Sequence, residues 1–472
     1  MPPHCITIDL PNHGRRKVRA CFDGGRISSD GGALLLRAAD QRSGLSQRLA
    51  ACFVDHRDPG RCEHSLQHLL AQRLFGLVLG YEDISDHDRL RDDSLLALAV
   101  GSDDVTGASR ARERDRGHPL AGSSTLNRLE LGTPEQAGQD RYKRIVGDTR
   151  RLDALLVEQF LDSHAEAPEE IVLDVDATDD PLHGRQQGRF FHGYYDGYCY
   201  LPLYVTCGSH IVCGRLRTAN RDAADGAVEE LERIVGQIRQ RWPRVRVIVR
   251  GDSGFCREEL MAWCEEQQGV DFVFGLARNP RLQQALARQQ RRSRSRGMTA
   301  GRASRRYRDF RYRTLQSWSR KRRVVGKAEW QPGQVRGDNQ RFVVTSLERG
   351  RVGTQPLYEQ WYCARGDMEN RIKEQQLDLF ADRTSAATLR ANQLRLYWAL
   401  FAAALLEVLR QVGLAGTELA TAQFGTIRAL LLKVAAMVRV SVRRIQVSLS
   451  SVFPRQELFA HSLSRLRVVA SG

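Results

Sequence analysis

No Cys-x-x-Cys pair occurs among the ten cysteines of this 472-residue chain. Cys52 and Cys62, or Cys207 and Cys213, lack zinc-finger spacing, which argues against a structural zinc site. The Met1-Pro-Pro-His opening carries no secretory leader, so reduced thiols in the cytoplasm are the expectation. Long apolar runs are missing too. The longest, Leu396 to Leu406, is too short to span a bilayer and reads as a buried helix, leaving no membrane role. No internal repeat is present. Acidic residues are the other shortage: 56 Asp/Glu against 72 Lys/Arg give a formal charge of +16. That excess favours polyanionic partners, nucleic acid first, and says nothing about fold. A hydrophobic share of 42% is ordinary for a globular protein, and at about 150 residues per domain the length allows two to four.

The charge excess is local. From Arg281 to Glu329, 17 Lys/Arg face two acids, Asp309 and Glu329. Interleaved aromatics (Tyr307, Phe310, Tyr312, Trp318 and Trp330) read as strands lying along a nucleic-acid backbone rather than as a solvated tail. Five segments are expected along the chain. Residues 1–165 read as a mainly helical, DNA-binding region, in which Ser123 to Glu130 is either a DNA-reading helix or an ordinary capped surface helix. Residues 166–280 read as strands separated by amphipathic helices, which implies right-handed crossovers and a mixed, partly parallel sheet. Residues 281–350 form a basic, β-rich insertion. Residues 351–415 return to helix and complete the α/β domain, and 416–472 form a C-terminal region.

Three acidic residues carry the candidate chemistry. Asp176 ends Ile171-Val-Leu-Asp-Val-Asp176, and Asp252 follows the strand-like Val247-Ile-Val-Arg-Gly251. Glu369 lies on a helix in Tyr362-Cys-Ala-Arg-Gly-Asp-Met-Glu369. Carboxylates on different elements can converge on one point, as a pair of divalent cations requires. Asp174 and Asp176 share a strand face, where two carboxylates repel unless a cation separates them, so Asp174 joins the candidate metal ligands. Tyr362, Arg365, Glu369 and Lys373 fall along one helical stripe, supplying a ligand and phosphate-gripping donors.

These motifs resemble those of DDE transposases of bacterial insertion sequences, in the RNase H-like group with a β-strand insertion. The match rests on Asp-Ala-Thr after the first strand, Arg-Gly-Asp-Ser-Gly-Phe after the fourth, and Tyr-x2-Arg-x3-Glu on the late helix. The 116 residues between Asp252 and Glu369 suit the strand-rich insert. Ser28-Ser-Asp-Gly-Gly-Ala-Leu-Leu-Leu36, Asp179-Asp-Pro-Leu-His-Gly184 and Phe190-Phe-His-Gly-Tyr-Tyr-Asp196 resemble the DDE group 1 branch, and the likeness covers roughly residues 22 to 459. The resemblance implies a metal-binding catalytic triad of Asp176, Asp252 and Glu369, with two Mg2+ or Mn2+ ions. It implies phosphate contacts from Tyr362 and Arg365, and an aromatic in the insert, Trp318 or Trp330, that holds a flipped base. A Lys expected seven residues beyond Glu369 is Gln376 here, and Lys373 is offered as its substitute. The implied partners are double-stranded DNA, both terminal inverted repeats and target, and a second copy of the chain in a synaptic complex. The implied activity is cut-and-paste transposition on the DNA of a bacterial nucleoid.

Overall fold

The computed structural model describes residues 6–137, 140–333 and 338–467. It divides into two compact units, one of residues Met1–Asp148 with Phe401–Gly472 and one of Thr149–Leu400. The segments read as separate N- and C-terminal regions therefore contribute to one unit.

In that first unit the helix Leu66–Leu79 is buried from Leu69 onward, because leucines, Phe75 and Val78 leave it no polar face. Ser65 caps its start and Gly80, in the left-handed conformation, ends it. A three-stranded sheet joins Ile27–Ser28 to the hairpin Ala436–Ser441 and Arg444–Leu449. The Ser-Ser-Asp-Gly-Gly motif fixes this junction. A Cβ at Gly32 would lie 2.2 Å from the Leu432 backbone, and buried Asp30 accepts from Tyr81 and Lys433 at 2.6 Å each. The expected helix at Ser123 to Glu130 is two short turns, Ser123–Leu126 and Arg128–Leu131, with Leu126, Leu129 and Glu130 buried. Neither turn is long enough to read a DNA groove.

The second unit is built on one eight-stranded sheet. Its strands are β1 (Glu170–Ala177), β2 (Leu203–Cys207), β3 (His210–Arg215), β4 (Arg246–Gly251), β5 (Val270–Leu276), β6 (Ser304–Tyr312), β7 (Arg322–Trp330) and β8 (Asp338–Thr345). The spatial order is β3-β2-β1-β4-β5-β8-β7-β6. β3, β2 and β1 are antiparallel, while β1, β4 and β5 run parallel. β8, β7 and β6 extend the sheet as an antiparallel meander. Helices α1 (Thr149–Asp162), α2 (Ala227–Arg241), α3 (Glu258–Glu266), α4 (Pro280–Ala300), α5 (Gly366–Leu379) and α6 (Leu389–Val408) complete the order.

Strand alternation decides which residues meet which layer. Ile171, Leu173 and Val175 of β1, with Val247 and Val249 of β4, enter a core shared with Leu231, Ile234 and Ile238 of α2 and Phe160 of α1. On the opposite face Ile248, Val273, Val325 and Val343 pack under Leu357 and Tyr358, which lead into α5. α6 continues to Gly413, longer than its apolar run. Leu389–Gly413 meets the length and composition for crossing a membrane, yet 78% of its apolar window is buried within the protein.

The insert, expected to be β-rich, also contains a helix. Its first part, Pro280–Ala300, is a helix. Leu282, Leu286, Gln290, Ser293 and Gly297 form its buried stripe at helical spacing, Pro280 opens it, and Asn279 caps Leu282. Arginine is a good helix former, so a dense basic run is no argument for strand.

Candidate active site

Asp176 and Asp252 leave adjacent parallel strands at the same level. Arg250 pairs with Asp174 and Gly251 with Val175 across β4 and β1, so the next residues on each chain emerge together beyond the strands' carboxyl ends. Asp252 turns the backbone there, accepting from the Gly254 N–H at 2.8 Å. Glu369 arrives from α5. Asp176, Asp252, Glu369, Arg365, Lys373 and Gln376 all line one cavity of about 460 Å³. All three expected carboxylates line this one cavity.

Arg365 is their counter-charge. It donates to Glu369 Oε1 at 2.5 Å, while its Nη1 stands 3.6 Å from Asp176 Oδ2. That Nη1 is buried and has no hydrogen-bond partner among the described residues. Burial pushes the Asp176 carboxyl up to about 6; Arg365 pulls it down, and Asp252 and Glu369 push it up. Tyr362 packs against β5, where a Cβ at Gly275 would meet its hydroxyl at 2.6 Å and the Ser253 nitrogen at 2.9 Å. Burial raises the pKa of Tyr362, with Arg365 opposing and Asp252 adding.

The lead-in to α5 is not a uniform helix. Leu357–Tyr362 is a π-helical turn and Cys363–Arg365 a 3-10 turn, before regular helix begins at Gly366. Such π-turns gather at functional sites because they redirect side chains. Here the irregular turn is held by Arg250, which donates to the carbonyls of Trp361 at 2.5 Å and Ala364 at 3.3 Å.

Arg250 also corrects the reading of Asp174. Both Asp174 oxygens accept from Arg250, at 2.5 and 2.7 Å, and both side chains are buried. The cation beside Asp174 is this guanidinium, which takes both of its oxygens, so the structure gives Asp174 a partner within the protein. Sequence reasoning missed Arg250, although its position two residues before Asp252 mirrors Asp174 two before Asp176.

The two tryptophans of the insert lie away from the carboxylates' cavity. Trp318 is 5% exposed, edge-on to Tyr312 and under Arg322. Trp330 lies over Gly297 of α4, where a Cβ would meet its ring at 2.1 Å. Trp318 is buried, Trp330 is half-buried against α4, and neither lines the cavity of the carboxylates. Lys373 does line it and is exposed, with no ion pair among the described residues. Gln376, where the resemblance implied Lys, donates to the Asp179 carbonyl at 3.2 Å and ties α5 to the exit of β1.

The all-oxygen donor set suits hard dications such as Mg2+ and Mn2+. Among the described residues, however, no three His, Cys, Asp or Glu side chains stand together as a ready-made metal cage. Arg365 lies between Asp176 and Glu369 instead.

A mixed sheet in this order, flanked by helices and carrying acids beyond its parallel strands, is an RNase H-like α/β fold. The chain belongs to the transposase DDE domain group 1 family, whose model matches residues 10–471. No curated protein matches it. Family membership gives transposase activity, a polynucleotidyl transfer acting on DNA, as the general function.

Proposed function

We propose that Asp176, Asp252 and Glu369 are the catalytic triad of a cut-and-paste transposase of a bacterial insertion sequence. It hydrolyses one strand at each end of its element, and the freed 3′-OH then attacks the opposite strand or target DNA. The observation that carries this reading is the meeting of three carboxylates, from segments far apart in sequence, in one cavity with a guanidinium between two of them. The same three side chains would hold two Mg2+ or Mn2+ ions, whose chemistry when bound is to lower the pKa of water and neutralise charge at the phosphate. The Arg365 guanidinium and the exposed Lys373 ammonium supply positive charge at the cavity wall for a phosphate. The Tyr362 hydroxyl lies beside Gly275 of β5, close to the Asp252 backbone.

Duplex DNA needs a wider grip, and the ion pairs suggest where it lies. Much of the charge on β6 and β7 is consumed internally: Arg322 pairs with Glu258 and Glu265, Arg323 with Asp309, and Lys327 and Arg305 with Glu329. On α4, by contrast, Arg288, Arg291, Arg292, Arg294 and Arg296 are exposed, with no acid in the helix and no ion pair among the described residues. Arg288, Arg291 and Arg292 lie on the side of the helix away from the buried stripe and Arg294 and Arg296 flank it, so the helix presents a cationic face. Terminal inverted repeats and target DNA are the partners of this reading. Two copies of the chain hold two ends together, acting in the cytoplasm on the nucleoid.

Asp252→Asn and Glu369→Gln test the triad. Each should stop strand cleavage while end-DNA binding stays close to wild type, and retained cleavage defeats the assignment. Incubation with pre-cut ends and plasmid should yield joined products. Cutting without joining would make the protein a nuclease of the same fold.

A further inference from the structure

Asp180 is a buried acid that the chemistry above leaves unused. It follows β1 in the short strand Asp180–Pro181, which pairs with Gly197–Tyr200, and it is 2% exposed. Among the described residues no cation pairs with it. The Thr384 hydroxyl, itself on a residue only 3% exposed, donates to Asp180 Oδ1 at 3.1 Å. The charges around it have its own sign: burial pushes the Asp180 carboxyl well up, and Asp382 and Asp179 push it further. A buried carboxylate without a counter-charge takes up a proton rather than stay ionised. In that form it donates as well as accepts, and it joins its neighbours without carrying charge.

The contact joins two segments that each carry one of the acids in the cavity. Asp180 follows β1, the strand of Asp176. Thr384 lies in the connection between α5 and α6, just beyond the helix of Glu369. Further ties run alongside. Gln376 of α5 reaches the Asp179 carbonyl, and Gln186 donates to the Thr384 carbonyl at 3.2 Å. The Gln187 N–H meets the Ala387 carbonyl at 2.9 Å, and its side-chain oxygen accepts from the Leu389 N–H at 3.3 Å. Asn392 of α6 braces the connection from behind, bonding both backbone groups of Ala386 at 2.9 Å each.

Of the ties between the two segments, Asp180 to Thr384 is the one buried at both ends. Burial of Met368 and Ile372 draws α5 onto the unit, but apolar attraction has no direction. A hydrogen bond shielded from water does have one, and it is electrostatically stronger there than at the surface. Asp180 itself does not line the cavity of the carboxylates, so any effect on them passes through the backbone.

We infer that Asp180 is a positioning residue: as an uncharged acid it ties the α5–α6 connection, through Thr384, to the exit of β1, and so sets Glu369 against Asp176. The inference rests on the triad reading and adds to it a residue that works without charge.

Steady-state cleavage of end DNA by the full chain with Mg2+, below every variant's melting temperature, tests it. Asp180→Asn keeps a neutral side chain of the same shape with a donor and an acceptor, and kcat should stay within about twofold of wild type. Asp180→Leu and Thr384→Val remove the hydrogen bond, and each should lower kcat by about ten- to a hundredfold with the KM for DNA unchanged. Thr384→Val exchanges only a hydroxyl for a methyl, so it carries the test if the Leu variant does not fold. Wild-type kcat in the Val variant overturns the inference, since the bond would then serve stability alone. So does an Asn variant as inactive as Asp252→Asn, which would make Asp180 a working charge. Cleavage by Asp252→Asn itself fails the triad reading whatever the Asp180 variants do, so the two failures are distinguishable.

Discussion

Removing the Arg250 guanidinium should damage both the fold and the reaction, and the two losses should separate. Arg250 and Asp174 are only 9% and 7% exposed in their side chains. Arg250→Met leaves a buried carboxylate without its partner, which costs about 3–5 kcal/mol. For a unit of this size, at roughly 2–4 °C per kcal/mol, the melting temperature should fall by about 6–20 °C. Adding Asp174→Leu removes the orphaned charge, and an apolar pair of similar volume in place of a buried ion pair is often neutral or better. The double variant should therefore recover most of the lost stability. It should not recover strand cleavage, because the carbonyls of Trp361 and Ala364 still lack the donor that holds the Tyr362–Arg365 turn. Differential scanning fluorimetry and a strand-cleavage assay on wild type, the single and the double variant read the two effects. A single variant that melts within about 1 °C of wild type, or a double variant as unstable as the single, would refute the structural role of the pair. If Asp174→Asn were fully stable yet inactive, Asp174 would return as a metal ligand.

Stability should also depend on pH through buried imidazoles. His87 is wholly buried, its Nδ1 accepting from Gln72 at 3.1 Å, and burial lowers its pKa to about 3. The unfolded imidazole takes a proton below about 6.5. Stability is therefore lost as pH falls from about 6.5 towards 3, by up to about 1.4 kcal/mol per pH unit. His64, lowered to about 4 chiefly by burial, adds to this limb. His87→Gln should flatten the fall of the urea midpoint between pH 7 and 5, and a flat wild-type profile contradicts the mechanism. Replacing Arg288, Arg291, Arg292 and Arg296 by Gln should shallow the slope of log affinity against log salt by up to about 0.9 for each phosphate left without its arginine. An unchanged slope moves the duplex grip off α4. Trp318→Ala should cost about 3–5 kcal/mol in urea titrations and leave the folded protein's DNA affinity intact; weaker binding at unchanged stability would restore the base-holding role.

What the sequence disclosed and what it hid divide along physical lines. Strand alternation is a short-range signal, so Ile171 to Asp176 and Val247 to Asp252 could be placed on parallel strands with their acids at the ends. Glu369 was legible from its spacing to Tyr362 and Arg365. The π and 3-10 turns that carry those residues were not, since no periodicity marks a change of helical pitch. Charge density misled twice. On α4 it masked a helical stripe of Leu282, Leu286 and Gln290, and on β6 and β7 it hid how many cations are matched by acids distant in sequence, such as Glu258 and Glu265. Trp318 and Trp330 illustrate the same limit: a sequence shows that an aromatic is present, while only packing shows whether its face is free.

The most direct test is anomalous diffraction from crystals of this protein soaked in Mn2+. The account predicts manganese peaks bounded by the carboxylates of Asp176, Asp252 and Glu369, with none between Asp174 and its guanidinium partner. Manganese bound elsewhere, or a refined structure in which any of the three carboxylates turns away from the shared cavity, would contradict it.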